Sequence, residues 1–213
     1  MGVIAMVGSQ SFAKQILRMI ELTSDEIWFY DDINTRSFNG KKVRGGIGVL
    51  RQDIEDGLVC ELVIAVGHDH LRFRHSVFQE FRGRGLLKSV VHNNACVCET
   101  ARVEEGCVVF PGAVVDEGVT IGGGSVLNAG VVVAHDSQVG ECCFLGPAVV
   151  LAGNCQICDR CYLSSGSVFG SDVHLSHDWI VGANATLLSS IVDKPAEGDI
   201  LVGTPATKKR RHG

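Results

Sequence analysis

The chain has 213 residues, with 24 acidic against 19 basic side chains and a net charge of −5. That balance argues against a general nucleic-acid binder and leaves phosphorylated small molecules open. No apolar run approaches the ~20 residues that span a bilayer, and the start lacks the charged segment and long apolar stretch of a signal peptide. No membrane insertion and a cytoplasmic location are therefore expected.

The first ninety residues alternate strands and helices. Val3 to Val7 is an apolar run ending at Gly8, after which Phe12, Ile16, Leu17 and Ile20 mark one face of a helix. Glu26 to Tyr30 reads as a second strand, ending in Asp31-Asp32. A third, Leu62 to Val66, ends at Gly67, and a helix from His70 to about Phe81 precedes a last strand, Leu87 to Val91. This predicts a small parallel α/β sheet, Rossmann-like, over residues 1–90, with ligands beyond the carboxyl ends of its strands. Three strand ends meet there: Gly8-Ser9-Gln10-Ser11, Asp31-Asp32 and Gly67-His68-Asp69. The first opens a helix, where free N–H groups and the helix dipole suit a phosphate. Gln10 stands where a dinucleotide fingerprint needs glycine, which argues against NAD. Asp31-Asp32 offers acceptors for a ribose or a base, or is a solvated turn.

From Val97 to Val192 the chain falls into sixteen uninterrupted hexads, each opening on Val, Ile, Leu or Phe, with a small or apolar residue four places later. A period of six suits neither an amphipathic helix nor an alternating strand. It suits a prism in which each hexad makes one flat β segment and one corner, and three hexads close a coil. Residues 18 apart then stack, so Val97, Val115, Val133, Leu151, Phe169 and Leu187 form one inward ladder. The prism is expected over residues 91–192, with a C-terminal tail at 193–213 that carries the basic run Lys208 to Arg211.

Nine cysteines raise the question of metal, because Cys155, Cys158 and Cys161 read as C-x-x-C-x-x-C, with Cys96 and Cys98 upstream. The repeat gives another account. Cys107, Cys143, Cys155 and Cys161 occupy the small inward position, where a thiol packs as a compact hydrophobe, so no metal is expected. Cys143 and Cys161, 18 apart, stack directly and are expected as free thiols in a reducing cytosol.

Taken together, VGSQSFAKQI at 7–16, FYDD at 29–32, VIAVGHDHLR at 63–72, NAGVVVAHD at 128–136, LAGN at 151–154 and VGTPA at 202–206 resemble a family. It is the bacterial sugar-nucleotide N-acetyltransferases of the left-handed β-helix class, which act on amino sugars such as UDP-4-amino sugars and GDP-perosamine; sialic-acid O-acetyltransferases are relatives. The resemblance implies a left-handed parallel β-helix, a homotrimer with active sites between neighbouring helices, acetyl-CoA as co-substrate, and a nucleotide-linked amino sugar held by the N-terminal domain for surface glycan biosynthesis. It places His135 as general base and Asp136 as the acid that orients it. It also places Asn128 near the sugar, and Gly153 and Gly182-Ala183 against acetyl-CoA. Gly8, Ser9, Gln10, Ser11, Phe12, Asp31, Asp32, Val66 and Gly67 fall at the nucleotide. The chain departs from the family at Phe12, where a histidine is common, and at Phe144, where a second active-site histidine occurs.

The residues themselves agree with that chemistry. An imidazole with a pKa near ~6.5 suits removal of a proton from an attacking amine, and a neighbouring carboxylate fixes its tautomer. His135 is one of three hexad histidines, with His174 and His177, which read as solvated or interface residues. His68 and His70 flank Asp69 like a metal pair, where the family grips the nucleotide. Alternatives from the same residues are a sugar O-acetyltransferase, a non-catalytic trimeric scaffold, a Cys-His nucleophile at Cys142 or Cys143, and a zinc carbonic anhydrase, which lacks three aligned histidines.

Overall fold

The computed structural model describes residues 2–20, 26–34, 36–196 and 199–210. It divides into two compact units, Met1–Val90 and Val91–Gly213.

The first unit is built on β1 (Val3–Val7), α1 (Ser11–Ile20), β2 (Glu26–Tyr30), β3 (Ser37–Phe38), β4 (Lys41–Gly45), α2 (Ile47–Glu55), β5 (Glu61–Ile64) and α3 (Leu71–Phe81). The sheet order is β3-β4-β2-β1-β5. Helix α1 buries Ile16, Leu17 and Ile20 as its sequence spacing predicts, with Ala13 buried and Phe12 only half-buried. Four expectations are corrected. The sheet is mixed rather than wholly parallel, because β3 and β4 pair antiparallel around the turn at Asn39-Gly40, both at positive φ. The third strand is Glu61–Ile64, and Ala65 to Gly67 already leave it. His68–His70 form a single 3₁₀ turn, so α3 begins at Leu71. The last strand is not a strand of this sheet: Leu87 makes one isolated bridge to Leu62, and Val90–Val91 joins the eight-stranded sheet described next.

In the second unit every hexad carries one two-residue strand, and strands 18 residues apart pair in parallel register. Val115 lies between Val97 and Val133, and Leu151 between Val133 and Phe169, as stacking predicts. The coils make three sheets of six, five and eight strands. The result is a left-handed parallel β-helix. Its interior is the two apolar positions of each hexad, from Cys107 and Val109 through Ala185 and Leu187. At ~1.5–3 kcal/mol for each large buried aliphatic side chain, this continuous core holds together strands too short to persist alone.

Corners are made by the fourth hexad position. From Gly106 to Asn184 each such residue has positive φ, and glycine gives way there to Asp136, Cys142, Ala148, Asn154, Arg160, Asp172, Asp178 and Asn184. Asp and Asn tolerate this region better than most side chains because they bond locally.

The segment after the repeat adds two strands to the eight-stranded sheet. Asp199–Val202 pairs through Leu201 with Val181, and Thr207–Arg210 runs antiparallel to it. Lys208 pairs with Asp199 at 2.7 Å; Arg211 of the basic run lies outside the described residues. Trp179, the one inward companion residue larger than isoleucine, is buried, with its indole N–H donated to Asp193 O at 2.8 Å.

Candidate functional site

His135 and Asp136 sit at the corner between the six- and five-stranded sheets. The imidazole Nδ1 lies 3.0 Å from Asp136 Oδ2, with the two side chains 57% and 64% exposed, so the pair faces outward. Asp136 reaches back to its neighbour because its backbone is left-handed, at φ 57°. The hydrogen bond to Asp136 raises the His135 pKa, partly offset by desolvation, and the charges of Asp136, Asp116 and Glu117 act in the same upward direction. Asp136 thereby orients the ring with Nε2 directed away from the carboxylate.

Two glycines one coil away make room for this pair. A Cβ on Gly153 would stand 2.5 Å from His135 Nε2, and a Cβ on Gly118 would stand 2.7 Å from Asp136 Oδ1. Gly153 N–H makes no hydrogen bond among the described residues, while its carbonyl accepts from Asp172 N at 3.0 Å. His135, Asp136 and Gly153 therefore come together. Gly118, Asp116 and Glu117 were not singled out from sequence; subtracting 18 from the His-Asp pair finds Glu117 and Gly118, and Asp116 is the residue before them.

The remaining prism residues lie elsewhere. Asn128 follows the eight-stranded sheet and donates its amide to Leu145 O at 2.9 Å, leaving it 8% exposed. Gly182 shares its row three coils on, roughly 14 Å away at the spacing of neighbouring strands. Gly182 N–H is donated to Leu201 O at 2.8 Å, so its own donor is occupied and Ala183 is the next residue along the corner. A shallow groove of about 230 Å³ on the five-stranded face is lined by Gln138, Gln156, Cys158, Asp159 and His177 among others, without His135.

The cysteines form a packing device. Thiols or hydroxyls at the inward position donate to a carbonyl 15 residues on: Cys107 to Gly122, Ser125 to Gly140, Ser137 to Ala152, Cys143 to Cys158, Cys155 to Gly170 and Cys161 to Ser176, at 2.7–3.3 Å. All nine cysteines are free thiols. Burial pushes the Cys143 thiol well above its ordinary pKa, which opposes the thiolate a nucleophile needs. Cys158 lies 3.5 Å from His174 Nε2, and His177 Nδ1 accepts from Asp159 N at 3.2 Å. Among the described residues no group of three or more His, Cys, Asp or Glu is placed to hold a metal ion.

In the first unit the parallel strands β2, β1 and β5 are neighbours, so their carboxyl ends lie side by side. Gly8, at φ 105°, donates to Tyr30 O at 2.8 Å, and a Cβ there would stand 2.7 Å from Ala65 O; only glycine fits that crossing of backbones. The two aspartates divide their work. Asp31 Oδ2 accepts from Ser9 N and Ser9 Oγ at 2.9 and 2.8 Å, and Oδ1 from Ile33 N and Asn34 N at 2.8 and 2.9 Å. Burial alone would raise its pKa, yet these hydrogen bonds bring it below the ordinary carboxylate value. Asp31 is thus spent on joining the first and second strand ends. Asp32 is exposed, and its Oδ1 accepts from Ile47 N at 3.1 Å at the start of α2. Gln10 and Ser11 are exposed, Phe12 and Gly67 half-buried, and Val66 buried.

Residues 91–196 match the family described as the GMPPB C-terminal domain. Comparison with curated proteins finds no match. Among solved structures, perosamine N-acetyltransferase from Caulobacter crescentus, a histidine-to-asparagine variant in complex with CoA and GDP-perosamine, is 28% identical with a TM-score of 0.89, covering 99% of this chain and 98% of that one. The acetyltransferase domain of PglB from Neisseria gonorrhoeae, in complex with acetyl coenzyme A, is 25% identical with a TM-score of 0.84, covering 96% and 98%. WeeI from Acinetobacter baumannii shares the fold at 17% identity and a TM-score of 0.57, covering 98% of this chain and 100% of that one.

The fold sets the chain beside acyltransferases of the hexapeptide β-helix class, its close structural homologues. Within that class, its structural neighbours are bacterial sugar-nucleotide N-acetyltransferases.

Proposed function

We propose that the chain transfers the acetyl group of acetyl-CoA to the amino group of a nucleotide-linked amino sugar, with His135 as general base. The observation that carries this reading is the outward His135–Asp136 pair at 3.0 Å, set over a glycine that only an unencumbered ring position requires. The likeness to a GDP-perosamine-bound acetyltransferase along nearly the whole chain supports the substrate class. Asp31 and the Gly8 crossing supply an ordered rim for the nucleotide; Asp32 supplies an exposed acceptor and half-buried Gly67 a backbone donor.

In this mechanism the amine nitrogen attacks the thioester carbonyl and His135 Nε2 takes its proton. Gly153 N–H, which makes no hydrogen bond among the described residues, stabilises the oxyanion in this reading. The C–S bond then breaks, and the thiolate leaves with the proton held on His135. Asp136 holds the ring in the correct tautomer and favours the imidazolium. No acyl-enzyme is formed. We further place the enzyme in the cytoplasm as a homotrimer serving surface glycan biosynthesis. The valines at 114, 132, 150 and 168 line the outside of the six-stranded sheet, with Val114 and Val168 exposed, an apolar strip suited to another copy.

The test is a screen of UDP-, GDP- and dTDP-linked amino sugars with acetyl-CoA, following free thiol and the mass of the sugar product. Thiol release dependent on one amino sugar, with a 42-dalton gain on nitrogen (one acetyl replacing one hydrogen), is expected. Release with hydroxy sugars alone would make the enzyme an O-acetyltransferase, and no release with any would return the scaffold reading.

A further inference from the structure

Among the described residues of the first unit, Arg74 is the one charged side chain at 0% exposure, and it lies on α3 where no motif drew attention to it. Its Nη1 donates to Ile64 O at 2.8 Å and to Val66 O at 2.9 Å. These are the last carbonyl of β5 and the carbonyl immediately before Gly67. A trans peptide points its C=O and N–H in opposite directions. The Val66–Gly67 peptide, with its carbonyl drawn inward to the guanidinium, therefore turns the Gly67 N–H away from the protein.

Two observations fit that reading. Gly67 N–H makes no hydrogen bond among the described residues, while His70 N takes up the Gly67 carbonyl at 3.3 Å. A Cβ on Gly67 would meet nothing within 4 Å, so the side-chain position of this residue is open. The neighbouring β1 end is held against the same segment by the Gly8 and Ala65 contact. An outward N–H, a helix N-terminus at Ser11 and a buried positive charge behind them all favour an anionic oxygen.

We propose that Arg74 is a positioning residue for the nucleotide: by holding the Ile64 and Val66 carbonyls it presents Gly67 N–H to a phosphate oxygen of a nucleoside diphosphate. It acts through the backbone and does not touch the ligand. The proposal rests on the functional reading above.

The test measures binding of GDP, UDP and dTDP to the full-length protein by calorimetry, together with binding of CoA and the kinetics of the best amino-sugar substrate. Gly67→Pro removes the N–H and suits the φ of −77° found there, with Arg74 left in place. Gly67→Ala keeps the N–H. The proline variant is expected to bind the nucleoside diphosphate roughly 10- to 100-fold more weakly than the alanine variant, the usual range for a lost hydrogen bond to a charged group. Arg74→Gln should raise KM for the sugar nucleotide by a similar factor, with CoA binding and kcat near wild type; Arg74→Lys should recover part of it. Equal binding by the two Gly67 variants, or a parallel loss of nucleotide and CoA binding in Arg74→Gln, would overturn the proposal. Wild-type protein that binds CoA and none of the three diphosphates would overturn the functional reading itself, and the proposal with it.

Discussion

Substituting Gly153 by alanine places one methyl group against the candidate base. The new Cβ would stand 2.5 Å from Nε2 and 2.6 Å from Cε1 of His135, where ordinary contact begins at 3.4 Å. The ring must therefore retreat by about 0.9 Å, the difference between those two distances. It can do so, because it is 57% exposed and only its 3.0 Å contact with Asp136 holds it. The backbone of Gly153 is outside the left-handed region, so alanine adds no strain there. Folding stability should accordingly change little. A misplacement near 1 Å of a catalytic group costs on the order of 10²-fold in rate, so kcat should fall about that far, with KM for the sugar nucleotide unchanged. The acid limb of kcat/KM should also move to lower pH, since a ring displaced from Asp136 loses the interaction that raises its pKa. Steady-state thiol release across pH, with a thermal melt as control, measures all of this. A Gly153→Ala enzyme with wild-type kcat and pH profile would refute His135 as the base; an increase in KM for acetyl-CoA alone would instead make Gly153 a cofactor contact only.

His135→Ala should lower kcat by roughly 10²–10⁴-fold with little effect on either KM, and full activity across pH would remove it from the mechanism. Asp136→Asn, which keeps a residue tolerant of the left-handed corner, should cost less. Because Asp136 raises the His135 pKa, and the base works only when neutral, this variant should gain activity relative to wild type on the acid side; an unmoved acid limb would contradict the assignment. Asp32→Ala should raise KM for the sugar nucleotide while sparing acetyl-CoA, whereas Asp31→Ala, which removes four hydrogen bonds, should also lower the melting temperature; identical behaviour of the two would refute their division of labour. Asp53→Ala should destabilise the first unit by about 1–2 kcal/mol, below the scale for a fully buried charge pair because the Arg44 side chain is 35% exposed, through loss of the bonds Asp53 accepts from Tyr30 and from two nitrogens of Arg44. The Arg44 hydrogen bonds lower the Asp53 pKa, so this contribution is complete above the unfolded carboxylate pKa and is lost as pH falls through the folded one; chemical denaturation at pH 7 and pH 3 reads it. Cys158→Ser should leave activity near wild type, and metal that co-purifies with the protein and is lost in this variant would show a site that the geometry lacks.

The prism was legible because its signal is periodic: an uninterrupted period of six fixes which residues face inward and which stack, and the observed register follows it residue by residue. The first unit was legible only where a strand or helix carries an apolar run. Residues 33–60 hold β3, β4 and α2, none of which was anticipated. In β4 only Val43 is buried, and α2 buries just Leu50 and Asp53, the latter a carboxylate that no hydrophobic pattern marks as interior. The antiparallel edge that makes the sheet mixed lies in that same silent stretch.

The sites divide along the same line. His135, Asp136 and Gly153 were named through the family resemblance; the repeat, which converts 18 residues of sequence into one coil, accounts for their lying together. The same arithmetic reaches Glu117 and Gly118, next to Asp116, and the charges of Asp116 and Glu117 bear on His135. In the first unit no such conversion exists. That Asp31 binds its own neighbours while Asp32 reaches the start of α2 depends on how two strand ends and an unanticipated helix meet. Arg74 was hidden for a further reason: within RFRH it looks like one more surface cation, and only the packing of α3 on the end of β5 turns it inward onto two carbonyls. A buried arginine costs free energy unless its donors are met. That it lies under the end of β5, with two of its donor contacts on the carbonyls of Ile64 and Val66, ties its burial to the presentation of Gly67 proposed above.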